Sequence, residues 1–172
     1  MSHELRCRAY TLIELLIAIV LLGIASAVVI PSIGSADALK VQSAVRAIVA
    51  DINAAQSEAL ATQRGRAIVF DVAHNKYQII EVNGTTLNPA QDLIREVQLV
   101  TTGHGLSGTI VAADFGGTDT LVFDELGGPV TGPGSSNPSA GGTVRVTGFG
   151  STFELTVEAY TGRVTVQRLA GP

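Results

Sequence analysis

No residue between positions 15 and 30 of this chain is charged, and the wider apolar run from 10 to 30 has about the 20 residues that cross a bilayer as a helix. Leucine, isoleucine and valine fill its centre. Each favours insertion by roughly 0.3 to 0.6 kcal/mol, so Gly23 and Ser26 do not prevent spanning. Arg6 and Arg8 precede the run, and the positive-inside rule then places Met1 in the cytoplasm and everything after Pro31 outside. A secretory signal peptide has a shorter apolar region ahead of a small-residue cleavage site. "IPSIGSADALK" offers such a site after Ala36, but an uncleaved anchor fits the longer run better. Glu14 is the residue that an anchor does not explain. A carboxylate near the start of a spanning helix costs about 1 to 3 kcal/mol unless it reaches the interface or finds a partner.

Pro31 removes a backbone donor and clashes with the preceding turn, which predicts a kink or a local melting of the helix there. Gly34 adds freedom, and Ser35 or Asp37 can cap a second helical stretch that runs to Gly65, with Arg64 near its negative C-terminal end. Val41, Val45, Ile48, Ile52, Ala55 and Ala59 recur at spacings of three and four and make one docking stripe, with Arg46, Asp51 and Glu58 off it.

After Gly65 the period changes to alternation. "RAIVFDV", "KYQIIEV", "REVQLVTT", "GTIVAADF", "DTLVFDE", "GTVRVTGF", "TFELTVEAY" and "GRVTVQRL" predict seven or eight short strands separated by Gly, Asn or Pro, with no helix among them. "YTGRV" signals a tight hairpin in which Gly162 takes a positive φ. Residues 125–142 have the composition of a flexible loop, available for contact with a partner subunit or without any role. The expected fold class is α+β, a long N-terminal helix packed on an antiparallel β-sandwich head.

Several kinds of chemistry are disfavoured by the same residues. The one cysteine, Cys7, precedes the apolar run, so neither an internal disulfide nor a multi-thiolate metal site can form. "GHGLSG", residues 103–108, has dinucleotide-site spacing, but the following "TIVAADF" is strand-like where that site needs a helix. His74 and His104 fall in turns without ligand spacing, Ser107 and Ser151 lack a nucleophile elbow, and "NGT" at 83–85 is a hairpin turn before it is a sequon. No catalytic, metal or cofactor residue is therefore assigned.

"RCRAYTLIELLIAIVLLGIASAVVIPSI" resembles the N-terminus of the type IV pilin and type II secretion pseudopilin superfamily: a basic leader, a small residue, an aromatic residue, "TLIEL", then an apolar helix. "ALATQRGRAIVFD", "DTLVFDELGGPV" and "AYTGRVTV" resemble the GspH/FimT-like group of minor pseudopilins and pilins, whose pilin-like heads are β-sandwiches. The resemblance implies that a prepilin peptidase cuts between Ala9 and Tyr10 and methylates the amine of Tyr10. The family usually has glycine where Ala9 stands, so slower cleavage is expected. Glu14 would pair with the free amine of Tyr10, on its own or a neighbouring subunit. The corresponding segments are a leader (1–9), a transmembrane and filament-core helix (10–31), an amphipathic helix (32–64) and a periplasmic head (65–172).

The same resemblance implies a structural, non-enzymatic subunit of the periplasmic pseudopilus, of the H type, anchored in the bacterial inner membrane by a single pass. Its partners would be prepilin peptidase, other minor and major pseudopilins or pilins, the inner-membrane assembly platform, and membrane lipid before assembly. A FimT-like minor pilin of a type IV pilus is the nearest rival, and a signal-anchored periplasmic enzyme or binding domain is a rival of another class. Some FimT-like pilins bind DNA through a "GRxR" element, which here reads Gly162-Arg163-Val164-Thr165. Without a leader carrying Glu4, Arg6 and Arg8, the 11 basic and 15 acidic side chains become nine and fourteen, a balance that disfavours nucleic acid as a partner. Arg64, Arg66, Arg145, Arg163 and Arg168 are then expected in strand-end salt bridges.

Overall fold

A computed structural model describes residues 11–100 and 106–169, and within its first helix the side chains of 11–26 and 39–62. The chain divides between Ala36 and Asp37 into two compact units. Ala9, Tyr10 and His104 lie outside the described residues.

The helix α1 spans Leu12–Thr62. Pro31 falls within those bounds, but its side chain is not among those described, and the expected kink lies outside the description. Among the described residues no helix is long and apolar enough to cross a membrane. The span expected at 10–31 continues into residues whose side chains are not described.

α1 ends three residues before Gly65, the expected terminator. The left-handed residue that stops it is Gln63, at φ 52°, and the Arg64 amide closes the last turn on the carbonyl of Ala59. Gly65 is closely packed for another reason. A Cβ there would lie 3.0 Å from the Cβ of Val82 and 3.1 Å from the carbonyl of Phe123, so these neighbours would have to shift to admit a side chain.

Two antiparallel sheets follow. The first contains β1 (Arg66–Asp71), β2 (Lys76–Glu81), β3 (Leu93–Gln98), β5 (Thr120–Phe123) and β6 (Pro129–Val130), in the order β3-β2-β1-β5-β6. The second contains β4 (Thr109–Asp114), β7 (Gly141–Gly148), β8 (Ser151–Glu158) and β9 (Val164–Leu169), in the order β4-β7-β8-β9. Among the described residues nine strands thus replace the seven or eight expected. The additional one, β6, lies inside the 125–142 segment and is too short, and too close to proline, to show an alternating pattern. That β4 follows "GHGLSG" gives this glycine-rich stretch no helix to open.

The expectation of no helix after Gly65 is also corrected. Asn88 caps a single turn, α2 (Pro89–Asp92), by accepting from the Ala90 amide at 3.2 Å, with Pro89 in the first turn.

Val41, Ala44, Val45, Ile48, Ile52, Ala55 and Ala59 of α1 are buried together with Ile68, Phe70, Tyr77 and Ile79 of the first sheet and Val144, Val146, Phe153 and Leu155 of the second. The three-and-four spacing of the helix therefore meets the two-residue period of both sheets in one core. Phe70 anchors it, with ring centroids 5.8 Å from both Tyr77 and Phe115. A smaller cluster of Ala67, Val122 and Val130, with Val82 and Leu87 against it, is closed off separately.

The 125–142 segment is internally bonded. Asp124 Oδ1 accepts the amides of Leu126 and Gly128, Val130 bridges Pro138, and Thr131 donates to Asn137. At Gly134, φ 67°, a Cβ would stand 2.9 Å from the carbonyl of Gly84, so this segment packs tightly on the 83–86 turn.

Candidate functional site

A helix leaves its first amides without carbonyl partners, and threonine followed three residues later by glutamate is a pattern that supplies them. Thr11 stands before α1 and accepts from the Glu14 amide twice, at 3.3 Å through Oγ1 and 3.1 Å through its carbonyl. Glu14 is the acidic residue of the first turn, where a negative charge complements the positive end of the helix. Its carboxylate is exposed, and in the sequence it follows Tyr10 by four residues.

From this turn the helix exposes an almost wholly apolar surface. Leu12 is 84% exposed, and Leu15, Ile17, Ile19, Leu21 and Ile24 all keep half or more of their surface uncovered. Burying one such side chain is worth about 1.5 to 3 kcal/mol, and a contiguous patch of them requires lipid or other helices around it. The chemistry available here is association, with one ionisable group at the end of an apolar face.

The head contains a polar site that the sequence reading places differently. Asp51, expected off the packed stripe, is 6% exposed. Its Oδ2 accepts from the Tyr77 hydroxyl at 2.6 Å, and its Oδ1 from Arg95 Nη1 at 2.7 Å. Burial first, and then the hydrogen bond to Asp51, push the Tyr77 phenol well above its ordinary range. Four residues after Ile52 on the same helix, Gln56 donates through Nε2 to the carbonyls of Gly127 and Thr161, each at 2.8 Å. Asn75, at φ 54°, donates to the carbonyls of Leu99 and Gly108 and accepts from the Ile110 amide, so one side chain joins segments of both sheets. Spacing alone conceals these three residues, because each is recognised by a partner distant in sequence.

The arginines considered for polyanion binding are spread over the link between α1 and β1 and over both sheets. Arg64 meets Glu81 at 2.8 Å, Arg66 meets Glu81 at 3.1 Å and Glu58 at 3.6 Å, Arg145 meets Glu154 at 2.6 Å, and Arg163 lies 3.9 Å from Glu158. Arg168 donates to Ser151. Arg66 is buried, and its remaining donors reach Thr62 Oγ1 and the Gly65 carbonyl beside the last turn of α1, where a cation is favoured. His74, in the β1–β2 turn, sits 2.7 Å from Asp71, and its backbone amide is the main reason that this exposed carboxyl titrates below its usual range. Among the described residues no group of three or more His, Cys, Asp or Glu is arranged to hold a metal.

A capped, exposed apolar helix ahead of two antiparallel sheets that enclose an amphipathic stripe defines an α+β protein with a pilin-like head. Residues 5–30 match the model of the prokaryotic N-terminal methylation motif, and residues 44–169 match that of the type II transport protein GspH. The second match covers well over half of the chain, and the chain belongs to the GspH family, as a GspH/FimT-like pseudopilin. Members of this family are structural proteins rather than enzymes. No curated protein and no solved structure matches the chain.

Proposed function

We propose that this protein is a minor pseudopilin of a type II secretion system, held in the inner membrane by residues 10–31 with its head in the periplasm, and built into the pseudopilus after processing. Prepilin peptidase cuts between Ala9 and Tyr10 and methylates the new amine. The observation that carries this reading is the Thr11-capped helix start, with Glu14 at the head of an exposed apolar face, inside the segment that matches the methylation motif.

In the bilayer the apolar face is solvated by lipid, and Glu14 stays near the headgroups. When helices of neighbouring subunits replace lipid, the carboxylate loses water and is stabilised by the amine of Tyr10 on the same or an adjacent subunit. Opposite charges about 4 Å apart attract by roughly 1 kcal/mol in water and about 4 kcal/mol in a less polar surrounding, so the pairing strengthens as the bundle closes. Pro31 separates the part that changes environment from the part that carries the head.

Deleting the gene and restoring it tests the assignment of machine. Loss of type II substrate export, recovered by the wild-type chain, is the expected result. Normal export together with a defect in type IV pilus assembly would assign the chain to the pilus instead.

A further inference from the structure

Each sheet of the head ends in two edge strands, β3 and β6 in the first and β4 and β9 in the second, and the outer side of β6 is already paired with residues 137–139. A free edge offers unpaired N–H and C=O groups to any extended chain, and proteins blunt such edges with bulges, proline or short length. Three of the four are blunted here. β3 carries an extra residue, Ile94, between its pairings to Ile79 and Ile80, and β4 carries Val111 in the same way between its pairings to Val146 and Arg145. β6 is two residues long and begins with Pro129. β9 has none of these features. It pairs with β8 in unbroken register, from Val164 opposite Val157 to Leu169 opposite Thr152.

The surface beside this edge is open as well. Phe153, Leu155 and Val157 of β8 face the core, and their partners Arg168, Val166 and Val164 share that face of the sheet. Past β9 the flank of α1 has no strand over it. A groove of about 480 Å³ runs there, walled by Val45, Val49, Phe153 and Val166 with Arg46 on its helical side. Among the described residues no carboxylate lines it. Arg46 has no hydrogen bond or ion pair among the described residues, and the one bond of Arg168 goes to the Ser151 hydroxyl. The overall negative protein thus keeps two arginines beside the edge of β9 that have no acidic partner among the described residues.

We propose that β9 and this groove accept an extended segment of another protein by strand addition, with alternate apolar side chains seated over Val49 and Val166 and acidic side chains on the same face meeting Arg46 and Arg168. Main-chain bonds to β9 supply affinity, and the alternating side chains supply selectivity. A second copy of β9 is the poorer occupant. It would bring a further arginine to a groove that Arg46 lines and Arg168 adjoins, with no carboxylate among its described lining residues.

The test uses the full chain in detergent micelles and a fluorescein-labelled ten-residue peptide that alternates valine and threonine, with glutamate replacing the first and last valines. A second peptide carries lysine at those two positions. Saturable binding of the glutamate peptide, slowed amide exchange across residues 164–169, and about tenfold weaker binding of the lysine peptide are expected. Arg46→Glu, on the exposed flank of α1, should also weaken the glutamate peptide while leaving the melting temperature unchanged, and adding Arg168→Glu should weaken it further. Absence of binding, binding without added protection of β9, or equal binding of both peptides would overturn the proposal. So would dimerisation of the chain alone with the same protection of β9, because the occupant would then be a second copy.

Discussion

The Tyr77 hydroxyl donates to Oδ2 of Asp51 across 2.6 Å, in the seam where α1 meets β2. Both residues are buried, and Arg95 closes the other oxygen of the carboxylate from the half-exposed side. Removing the carboxylate leaves a buried hydroxyl unpaired and a guanidinium without its anion. Asp51→Ala should therefore lower stability by about 3 kcal/mol, and Tyr77→Phe, which keeps the ring, by about 1 to 2 kcal/mol. Denaturant unfolding of the two variants and of the double variant checks this, and a fully additive double variant would show that the pair is not coupled.

The same contact predicts an alkaline limit. The folded-state pKa of Tyr77 is raised, so the unfolded chain releases this proton near pH 10 while the folded chain still holds it. Its contribution is complete below about pH 10 and declines as pH rises above that value. Phenolate absorbance and melting temperature followed upward from pH 9 should show Tyr77 titrating only with unfolding, and Tyr77→Phe should fall less steeply with pH.

Gln56 predicts a second kind of weakness. It ties α1 to the turns at Gly127 and Thr161, and Gly162 is backed directly against it. Gly162 has φ 66°, and a Cβ would lie 2.8 Å from Gln56 Nε2 and 2.9 Å from the Phe123 ring. Gly162→Ala should cost about 2 kcal/mol through strain and loss of these bonds, and Gln56→Ala about 1 to 2 kcal/mol. Amide exchange should quicken around 127 and 161 first.

Asn75 is predicted to be less replaceable than a turn residue usually is. It makes three hydrogen bonds to segments of both sheets and holds a left-handed backbone that asparagine tolerates better than alanine. Asn75→Ala should lose about 2 to 4 kcal/mol in thermal or chemical unfolding. Asn75→Gly, which eases the backbone without restoring the bonds, should recover only part of that loss.

In the membrane-proximal unit, Glu14→Ala should leave insertion and cleavage intact and remove the chain from filaments. Quantifying the mature chain in membranes and in sheared pseudopili checks this. Normal incorporation would show that pairing with the Tyr10 amine is not what admits the helix.

Periodicity carries the parts of the fold that repeat. The α1 stripe from Val41 to Ala59 and the long alternating strands announce themselves because each residue type recurs at the period of its element. Elements without a period do not. β6 has two residues, α2 has one turn, and Gln63 takes the left-handed turn that glycine usually takes. Asp51 looks solvent-facing by helical spacing alone, and only the arrival of Tyr77 and Arg95 from β2 and β3 makes its burial favourable. The N-terminal site is the reverse case. Thr11 and Glu14 are local to one turn, so "TLIE" carries a capping pattern, yet the sequence reading takes Glu14 only as a carboxylate in need of a partner and passes over Thr11.

Maturation of this chain as a prepilin is decided by the mass of the N-terminal peptide of the protein taken from bacterial membranes. A peptide that begins at Tyr10, carries one methyl group on its amine and is missing from cells lacking prepilin peptidase is expected. A chain that retains Met1, or one that begins near Asp37, would contradict it.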